Sequence, residues 1–171
     1  RHMKHIEGNF IGARGVNIFY QGWLPEGDVK AVILVVHGLG EHSGRYSNVV
    51  DHFVPLGYAV YGLDHIGHGR SGGAREMVKT FADFTETISI FYTMIAEWQA
   101  DKPVFILGHS MGGLISSYYL LGHQDKFKGA ILSAPAVEIG DSVSPMALKI
   151  SKYLSKLLPT MGIANLDSTA I

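Results

Sequence analysis

The stretch ILGHSMGGLISSYY, residues 106–119, decides the fold class of this chain. An apolar run reaches Gly108, Ser110 follows two places later, and a helical pattern starts at once. Residues 108–112, GHSMG, match the pattern G-x-S-x-G, in which a serine occupies a sharp turn from a strand to a helix. Glycines two places before and after the serine leave room for neighbouring chain. The stretch therefore predicts a strand, a strained turn and a helix.

Ser110 is the candidate nucleophile of this turn. A strained turn projects the serine hydroxyl above the sheet, and the N–H of Met111 lies at a helix N-terminus, where it can stabilise a developing oxyanion. His109, the variable residue of the motif, is expected to pack beside the turn and not to react. The alternative interpretation is a serine that occupies a tight turn by chance.

Strand and helix patterns alternate on both sides of this turn. Two short strands are predicted first, at 6–11 and 16–23. Four apolar runs then predict further strands, at 31–36, 58–63, 104–108 and 129–133, and the first two of these are expected to be buried. Three helical patterns lie between them, at 43–56, 80–100 and 111–121. Helical crossovers between buried strands predict an α/β fold with a mostly parallel, doubly wound sheet and helices on both faces.

The predicted helices carry signals at their ends. Ser43 or Ser47 is expected to cap the first helix, and Gly57 to end it. Gly122 is expected to break the third. The second helix is expected to place six apolar side chains on one stripe, namely Phe81, Phe84, Ile88, Phe91, Ile95 and Trp98.

The glycine-rich loop HGLG, residues 37–40, follows the first buried strand. In a fold with this serine turn, the loop at that place supplies a second oxyanion donor from its backbone, and glycine lets the chain approach a substrate closely. The N–H of Leu39 is the predicted donor. Gly38 and Gly40 support the loop, and His37 is expected to orient it.

The same loop has a second interpretation, as a dinucleotide-binding fingerprint. Gly38-x-Gly40 follows a strand and opens a helical pattern, and Asp64 ends the next strand, where it would bind a ribose hydroxyl. The third glycine, Gly44, comes one place late, and His37 has no role in such a site.

The loop DHIGHGRSGG, residues 64–73, raises the question of a metal site. No third ligand at a characteristic spacing accompanies His65 and His68. We therefore expect Asp64 and the two histidines to hydrogen bond to backbone groups.

Composition excludes several classes of function. The chain has 171 residues, of which 47% are hydrophobic and 17% charged, as in a folded globular domain. A net charge of −1 gives no electrostatic argument for nucleic acid, and the absence of cysteine excludes disulfides, thiolate metal sites and a catalytic cysteine. No apolar run reaches the length of about 18 residues that a membrane span needs. A cytoplasmic protein, or one peripheral to a membrane, is expected.

Three blocks of sequence carry a family likeness. HGLGEHSGRY at 37–46, DHIGHGRSGG at 64–73 and GHSMGG at 108–113 closely resemble the monoacylglycerol lipase and lysophospholipase branch of the serine α/β-hydrolases. The resemblance covers nearly the whole chain. It implies Ser110 as nucleophile, the N–H groups of Leu39 and Met111 as the oxyanion hole, a lipid ester with one acyl chain as substrate, and no cofactor.

The resemblance also implies a domain organisation. Residues 4–136 correspond to the N-terminal part of the hydrolase core, and residues 137–171 to the start of a cap. An amphipathic pattern at 145–158 is expected in this cap, where it would line an acyl tunnel, contact a membrane or simply pack on the core.

The catalytic acid and base have no candidates in this chain. In this fold the triad runs Ser, then Asp or Glu, then His. His123 is the one histidine after Ser110, and it lies about 20 Å away along the same helix at 1.5 Å per residue. A base must lie within about 3.2 Å of the hydroxyl that it activates. We therefore expect the acid and base in a C-terminal segment outside this chain, and the chain alone to be nearly inert.

A different class of function stays open from the sequence. A protein of this fold can bind a small apolar ligand with little or no turnover while it keeps the serine turn.

Overall fold

The structure is a computed structural model that describes residues 3–135. Six strands form one sheet in the order β1-β2-β4-β3-β5-β6. The strands are β1 Lys4–Ile11, β2 Asn17–Leu24, β3 Ala31–Val36, β4 Tyr58–Leu63, β5 Val104–His109 and β6 Gly129–Ser133. The α-helices are α1 Ser47–Phe53, α2 Phe81–Trp98 and α3 Met111–His123. Short 3₁₀ segments occupy Ala13–Gly15, Ser43–Tyr46, Val54–Leu56 and Gln124–Lys126.

The sheet is mostly parallel. β1 and β2 form an antiparallel pair that adds to the edge of β4, whereas β3, β4, β5 and β6 run parallel. Every residue of β3 is buried, as a strand covered on both faces requires. The predicted mostly parallel α/β sheet is confirmed.

Helices cover both faces of this sheet. Side chains alternate along a strand, so Val60 and Tyr61 of β4 point to opposite faces. Val60 packs in a cluster with Val50 of α1, whereas the ring of Tyr61 lies 6.5 Å from that of Phe91 on α2. The two helices therefore lie on opposite faces, as a doubly wound sheet predicts.

The carboxyl ends of three strands meet at one edge of the sheet. Val36 of β3 pairs with Gly108 of β5, and Val35 pairs with Gly62 of β4. The loops that leave these strands contain HGLG, Asp64 and Ser110. In open α/β sheets ligands bind outside this edge, so the fold brings the predicted site residues to the expected place.

The predicted cap of the first helix is wrong. α1 begins at Ser47 after a 3₁₀ turn, and its N-cap residue, Tyr46, makes no side-chain cap hydrogen bond. Ser43 cannot cap the helix because its hydroxyl donates to Asp64 at 2.7 Å. Gly57 ends this segment with φ 97°, as predicted.

Two details of the later helices also differ from the prediction. Gly122 lies inside α3, which continues to His123. A Cβ on Gly122 would meet nothing within 4 Å, so this glycine faces solvent. Trp98 stacks on Tyr61 at 5.8 Å between ring centroids but is 42% exposed, whereas the other five residues of the predicted stripe on α2 are buried.

Two further predictions concern the end of the chain and membranes. The amphipathic pattern at 145–158 and the cap start at 137–171 lie outside the described residues. Within residues 3–135, no helix combines the length and apolar character that crossing a membrane requires.

Candidate active site

Ser110 occupies a strained turn between β5 and α3. Its backbone has φ 53° and ψ −118°, a conformation that residues with a side chain rarely adopt. The Ser110 N–H donates to the carbonyl of Ser133 on β6 at 3.0 Å, and its carbonyl accepts from the N–H of Leu114 in α3 at 3.2 Å. The turn is thus held from the neighbouring strand and from the following helix. Backbone strain of this kind is concentrated at functional sites.

The glycines on either side of the serine are required by close backbone packing. A Cβ on Gly108 would lie 2.4 Å from the carbonyl oxygen of Gly112, and a Cβ on Gly112 would lie 2.0 Å from that of Val36. Both neighbours are main-chain atoms that cannot move aside. The absence of these side chains lets α3 start against the end of β3, which places the HGLG loop beside Ser110.

The HGLG loop contacts the serine turn directly. A Cβ on Gly38 would lie 3.4 Å from Cβ of Ser110 and 3.2 Å from the carbonyl oxygen of His109. Gly40 has φ 70°, a left-handed conformation that favours glycine. Among residues 3–135, no partner in the chain accepts a hydrogen bond from the N–H of Leu39 or Met111. Both predicted oxyanion donors are therefore without a hydrogen-bond acceptor in this part of the chain.

His37 fixes the direction of the peptide that carries the Leu39 N–H. Its Nε2 accepts the N–H of His65 at 2.9 Å, so that nitrogen has no proton and Nδ1–H donates to the carbonyl of Gly38 at 2.7 Å. In a planar trans peptide the C=O and N–H point in opposite directions. Holding the Gly38 carbonyl on one side therefore directs the Leu39 N–H to the other. The expected orienting role of His37 agrees with these contacts.

Burial keeps this histidine neutral. His37 is fully buried, and desolvation lowers its pKa from 6.5 to about 3, assisted by the nearby histidines. His65 is also buried, and desolvation lowers its pKa well below 6.5. The ring of His65 donates through Nε2 to the carbonyl of His37 at 2.8 Å. The hydrogen bonds of both rings are therefore satisfied when His37 and His65 are neutral.

The loop after β4 has a structural role, as expected. Oδ1 of Asp64 accepts the N–H and the hydroxyl of Ser43, both at 2.7 Å, and Oδ2 accepts the N–H of Arg70 at 2.9 Å. His68 Nδ1 lies 3.0 Å from the carbonyl of Ile66. Asp64 is only 1% exposed, so its carboxylate is not available to a ribose hydroxyl as the dinucleotide interpretation requires. In residues 3–135 no three His, Cys, Asp or Glu side chains are grouped as metal ligands.

Two other histidines lie where the sequence places them. His109 Nδ1 is 3.2 Å from the hydroxyl of Ser133, so this side chain packs over the strand and points to β6. His123 ends α3, where its ring stacks on Tyr119 and Nδ1 is 2.9 Å from the Tyr119 carbonyl. The uninterrupted helix between Ser110 and His123 keeps His123 away from the serine, as the sequence predicts.

Sequence reasoning missed two residues of this region. Glu41 accepts the Gly38 N–H, and Tyr46 donates its hydroxyl to the same carboxylate oxygen. The block HGLGEHSGRY contains both residues, but its pattern gives no reason to connect them to Gly38.

Comparison with known proteins identifies the family. A family model described as Hydrolase_4, serine aminopeptidase S33, matches residues 27–171. The chain belongs to the Hydrolase_4 family. Membership agrees with the α/β-hydrolase fold and with the serine turn at Ser110, and it confirms the resemblance to serine α/β-hydrolases.

The curated relatives of this Hydrolase_4 chain include proteins named monoacylglycerol lipase or monoglyceride lipase. A monoacylglycerol lipase of Mycolicibacterium smegmatis is 39% identical over 165 residues, which are 96% of this chain and 59% of the relative. A monoglyceride lipase of Mus musculus is 35% identical over 95% of this chain and 54% of its own length. The chain thus spans little more than half the length of these relatives.

Solved structures show the same fold. A soluble variant of monoglyceride lipase from Saccharomyces cerevisiae, in complex with a substrate analogue, has a TM-score of 0.74 at 25% identity, over 88% of this chain and 51% of its own. A thermostable carboxyl esterase from Bacillus coagulans, in complex with glycerol, has a TM-score of 0.72 at 28% identity, over 92% of this chain and 51% of its own.

Proposed function

We propose that this chain is the nucleophile-bearing part of a serine hydrolase that cleaves carboxylic esters of single-acyl lipids, of the monoacylglycerol or lysophospholipid type. The observation that carries the proposal is the position of Ser110, which lies on a strained turn next to Met111 and beside the HGLG loop. The N–H groups of Leu39 and Met111 have no hydrogen-bond acceptor among residues 3–135. The names of the curated relatives favour a monoacylglycerol substrate.

The proposed reaction proceeds in two steps through an acyl-enzyme. Ser110 Oγ attacks the ester carbonyl carbon and loses its proton to a histidine base, while the N–H groups of Leu39 and Met111 stabilise the oxyanion. The protonated base gives the proton to the departing alcohol as the C–O bond breaks. Water, activated by the same base, then attacks the acyl-Ser110 carbonyl and releases the fatty acid.

The acid and base of this reaction are proposed to come from a segment that follows this chain. His123 cannot serve, because it lies at the far end of α3. Within residues 3–135, β6 lies at the edge of the sheet, and Ile131 and Leu132 on it are 44% and 40% exposed. We propose that further strands of the following segment pair with β6 and carry the acid and the histidine. A cap beginning near residue 137, with peripheral membrane contact through it, belongs to the same proposal, as does a cytoplasmic location.

The test uses the full-length protein that carries this chain. A fluorophosphonate should label Ser110, and labelling and monoacylglycerol hydrolysis should both disappear in Ser110→Ala. Hydrolysis that persists in Ser110→Ala would reject the proposal. Ser133→Ala serves as the control, since among residues 3–135 the hydrogen-bond partner of that hydroxyl is His109 at the rim of the turn. The fluorophosphonate should still label Ser110 in the Ser133→Ala protein.

The isolated 171-residue chain gives a second test. Without the acid and base, it should hydrolyse short esters no faster than its own Ser110→Ala variant. Turnover at rates typical of enzymes, about 1 s⁻¹ or more, would show that a base lies within the chain.

A further inference from the structure

A half-buried carboxylate lies beside the oxyanion loop and has no part in the proposed reaction. Glu41 Oε2 accepts the N–H of Gly38 at 2.9 Å. The main-chain N–H of Glu41 donates to the carbonyl of Gly38 at 3.3 Å. One residue thus holds the N–H of Gly38 with its side chain and the C=O of Gly38 with its backbone.

These two contacts restrain a glycine of the loop. The N–H of Gly38 belongs to the peptide plane before its Cα, and the C=O belongs to the plane after it. The only soft torsions between the two planes are φ and ψ of Gly38, and glycine leaves both less restricted than any other residue does. The second plane also contains the N–H of Leu39. Glu41 therefore fixes the orientation of a proposed oxyanion donor relative to β3.

Tyr46 connects this restraint to the core. Its hydroxyl donates to the same Glu41 Oε2 at 3.0 Å. Its ring is 7% exposed and packs in a cluster with Ile33, Val50 and Leu107. Glu41 is thereby held by a side chain that the sheet and α1 immobilise, and the carboxylate cannot follow the loop if the loop moves.

We propose that Glu41 is a positioning residue that acts through Gly38 to aim the Leu39 N–H at the oxyanion. We expect the reach of its Oε2 to matter more than its negative charge, because an uncharged amide oxygen in the same place could accept both hydrogen bonds. The inference rests on the proposed function, since it concerns the oxyanion hole of the same reaction.

Three substitutions in the full-length protein separate reach from charge. Glu41→Gln keeps an acceptor oxygen at the same reach and removes the charge. Glu41→Asp keeps the charge and shortens the side chain by one methylene, and Glu41→Ala removes both. The matched control is Glu76→Ala, because the Glu76 carboxylate also lies beside the loop, 3.6 Å from where a Cβ on Gly40 would be.

We expect the variants to form two groups that differ in kcat, with little change in KM in either group. Removing an oxyanion donor costs roughly 10²–10³ in turnover, so misdirecting one should lower kcat of Glu41→Asp and Glu41→Ala by about 10–100-fold. An interaction made only in the transition state lowers kcat and kcat/KM together. Glu41→Gln and Glu76→Ala should keep kcat within about threefold of the parent.

Several outcomes would overturn the inference. Parent-like kcat in Glu41→Asp shows that the reach does not matter. A kcat as low in Glu41→Gln as in Glu41→Asp shows that the charge acts directly, and an equal loss in Glu76→Ala shows a general effect of acidic residues at the loop. If Glu41→Ala does not fold, the comparison of Glu41→Asp with Glu41→Gln still tests the positioning role. Hydrolysis that survives Ser110→Ala rejects the proposed function itself, whereas an inactive Ser110→Ala with an unaffected Glu41 series rejects only the positioning role.

Discussion

His37 and His65 exchange two hydrogen bonds at the end of the sheet where β3 and β4 stop. The N–H of His65 donates to Nε2 of His37 at 2.9 Å, and Nε2–H of His65 donates to the carbonyl of His37 at 2.8 Å. Their ring centroids are 4.0 Å apart, and the ring of His68 lies 5.3 Å from that of His37. The arrangement needs an unprotonated Nε2 on His37, so it holds only while His37 is neutral.

The protein should therefore lose stability on mild acidification. His37 has a pKa of about 3 in the folded chain against 6.5 when unfolded, so between these values the unfolded state binds a proton that the folded state does not. Stability then falls as the pH falls from 6.5 towards 3. At pH 5 this residue alone should reduce the free energy of unfolding by about 2 kcal/mol relative to pH 7. Burial lowers the pKa of His65 and of His68 as well, which adds in the same direction.

Urea unfolding at pH 7 and pH 5 measures this effect. His52→Gln, which replaces an exposed histidine on α1, is the matched control. Equal unfolding free energies at the two pH values would contradict the prediction.

Two glycines of α3 should respond to the same substitution with opposite signs. A Cβ on Gly112 would lie 2.0 Å from the carbonyl oxygen of Val36, whereas a Cβ on Gly122 would meet nothing within 4 Å. Gly112→Ala should destabilise the protein by about 3 kcal/mol, because backbone must shift. Gly122→Ala should stabilise it by about 0.5–1 kcal/mol, because alanine loses less backbone entropy in a helix. Thermal unfolding of Gly112→Ala and Gly122→Ala measures both effects. A lower melting temperature for Gly122→Ala would show that the space around residue 122 does not accommodate a Cβ.

The strain at Ser110 should be measurable as stability. A residue with a side chain at φ 53° and ψ −118° carries strain of about 1–3 kcal/mol, which glycine relieves. Ser110→Gly and Ser110→Ala both remove the nucleophile, but the glycine variant should be more stable than the alanine variant by about 1 kcal/mol, after its larger backbone entropy loss is subtracted. Chemical unfolding of the two inactive variants gives the comparison. Equal stabilities would mean that the turn is not strained.

The parallel part of the fold could be predicted from the sequence because its central strands are buried on both faces. Such strands read as continuous apolar runs, and the limits of β3 and β4 follow those runs directly. Ser110 could be located for a similar reason. Its turn needs small residues at two fixed positions. Gly108 and Gly112 occupy these positions and lie within five residues of sequence, so the pattern is visible locally.

The supports of the site could not be predicted in this way, because they join distant parts of the chain. His37 and His65 are 28 residues apart, and no periodicity relates them. Ser43 has the residue type of a helix cap, but its hydroxyl donates a hydrogen bond to Asp64, 21 residues later. Glu41 is close to Gly38 in sequence, yet its contact depends on the side-chain rotamer that Tyr46 holds. Local patterns determine elements and turns, whereas these hydrogen bonds depend on tertiary packing.

Two ion pairs should differ sharply in their contribution to stability. Arg14 Nε donates to both carboxylate oxygens of Asp83, at 2.9 and 2.8 Å, and the Asp83 side chain is only 6% exposed. The Thr80 N–H donates to the same carboxylate at 3.2 Å. Burial alone would raise the pKa of Asp83, but the hydrogen bonds from Arg14 and Thr80 outweigh it and lower the pKa. Glu7 pairs with Arg70 at the surface, where the two side chains are 43% and 67% exposed.

Isosteric neutralisation of each acid compares the two pairs. Asp83→Asn should cost about 2 kcal/mol at pH 7, because a buried acceptor of charge-assisted hydrogen bonds is weakened. Glu7→Gln should cost less than about 0.5 kcal/mol, since an exposed pair is screened by solvent. Denaturant unfolding at pH 7 measures both differences. Equal costs for the two variants would show that the Arg14–Asp83 pair is solvated in solution and does not anchor the start of α2 to the turn between β1 and β2.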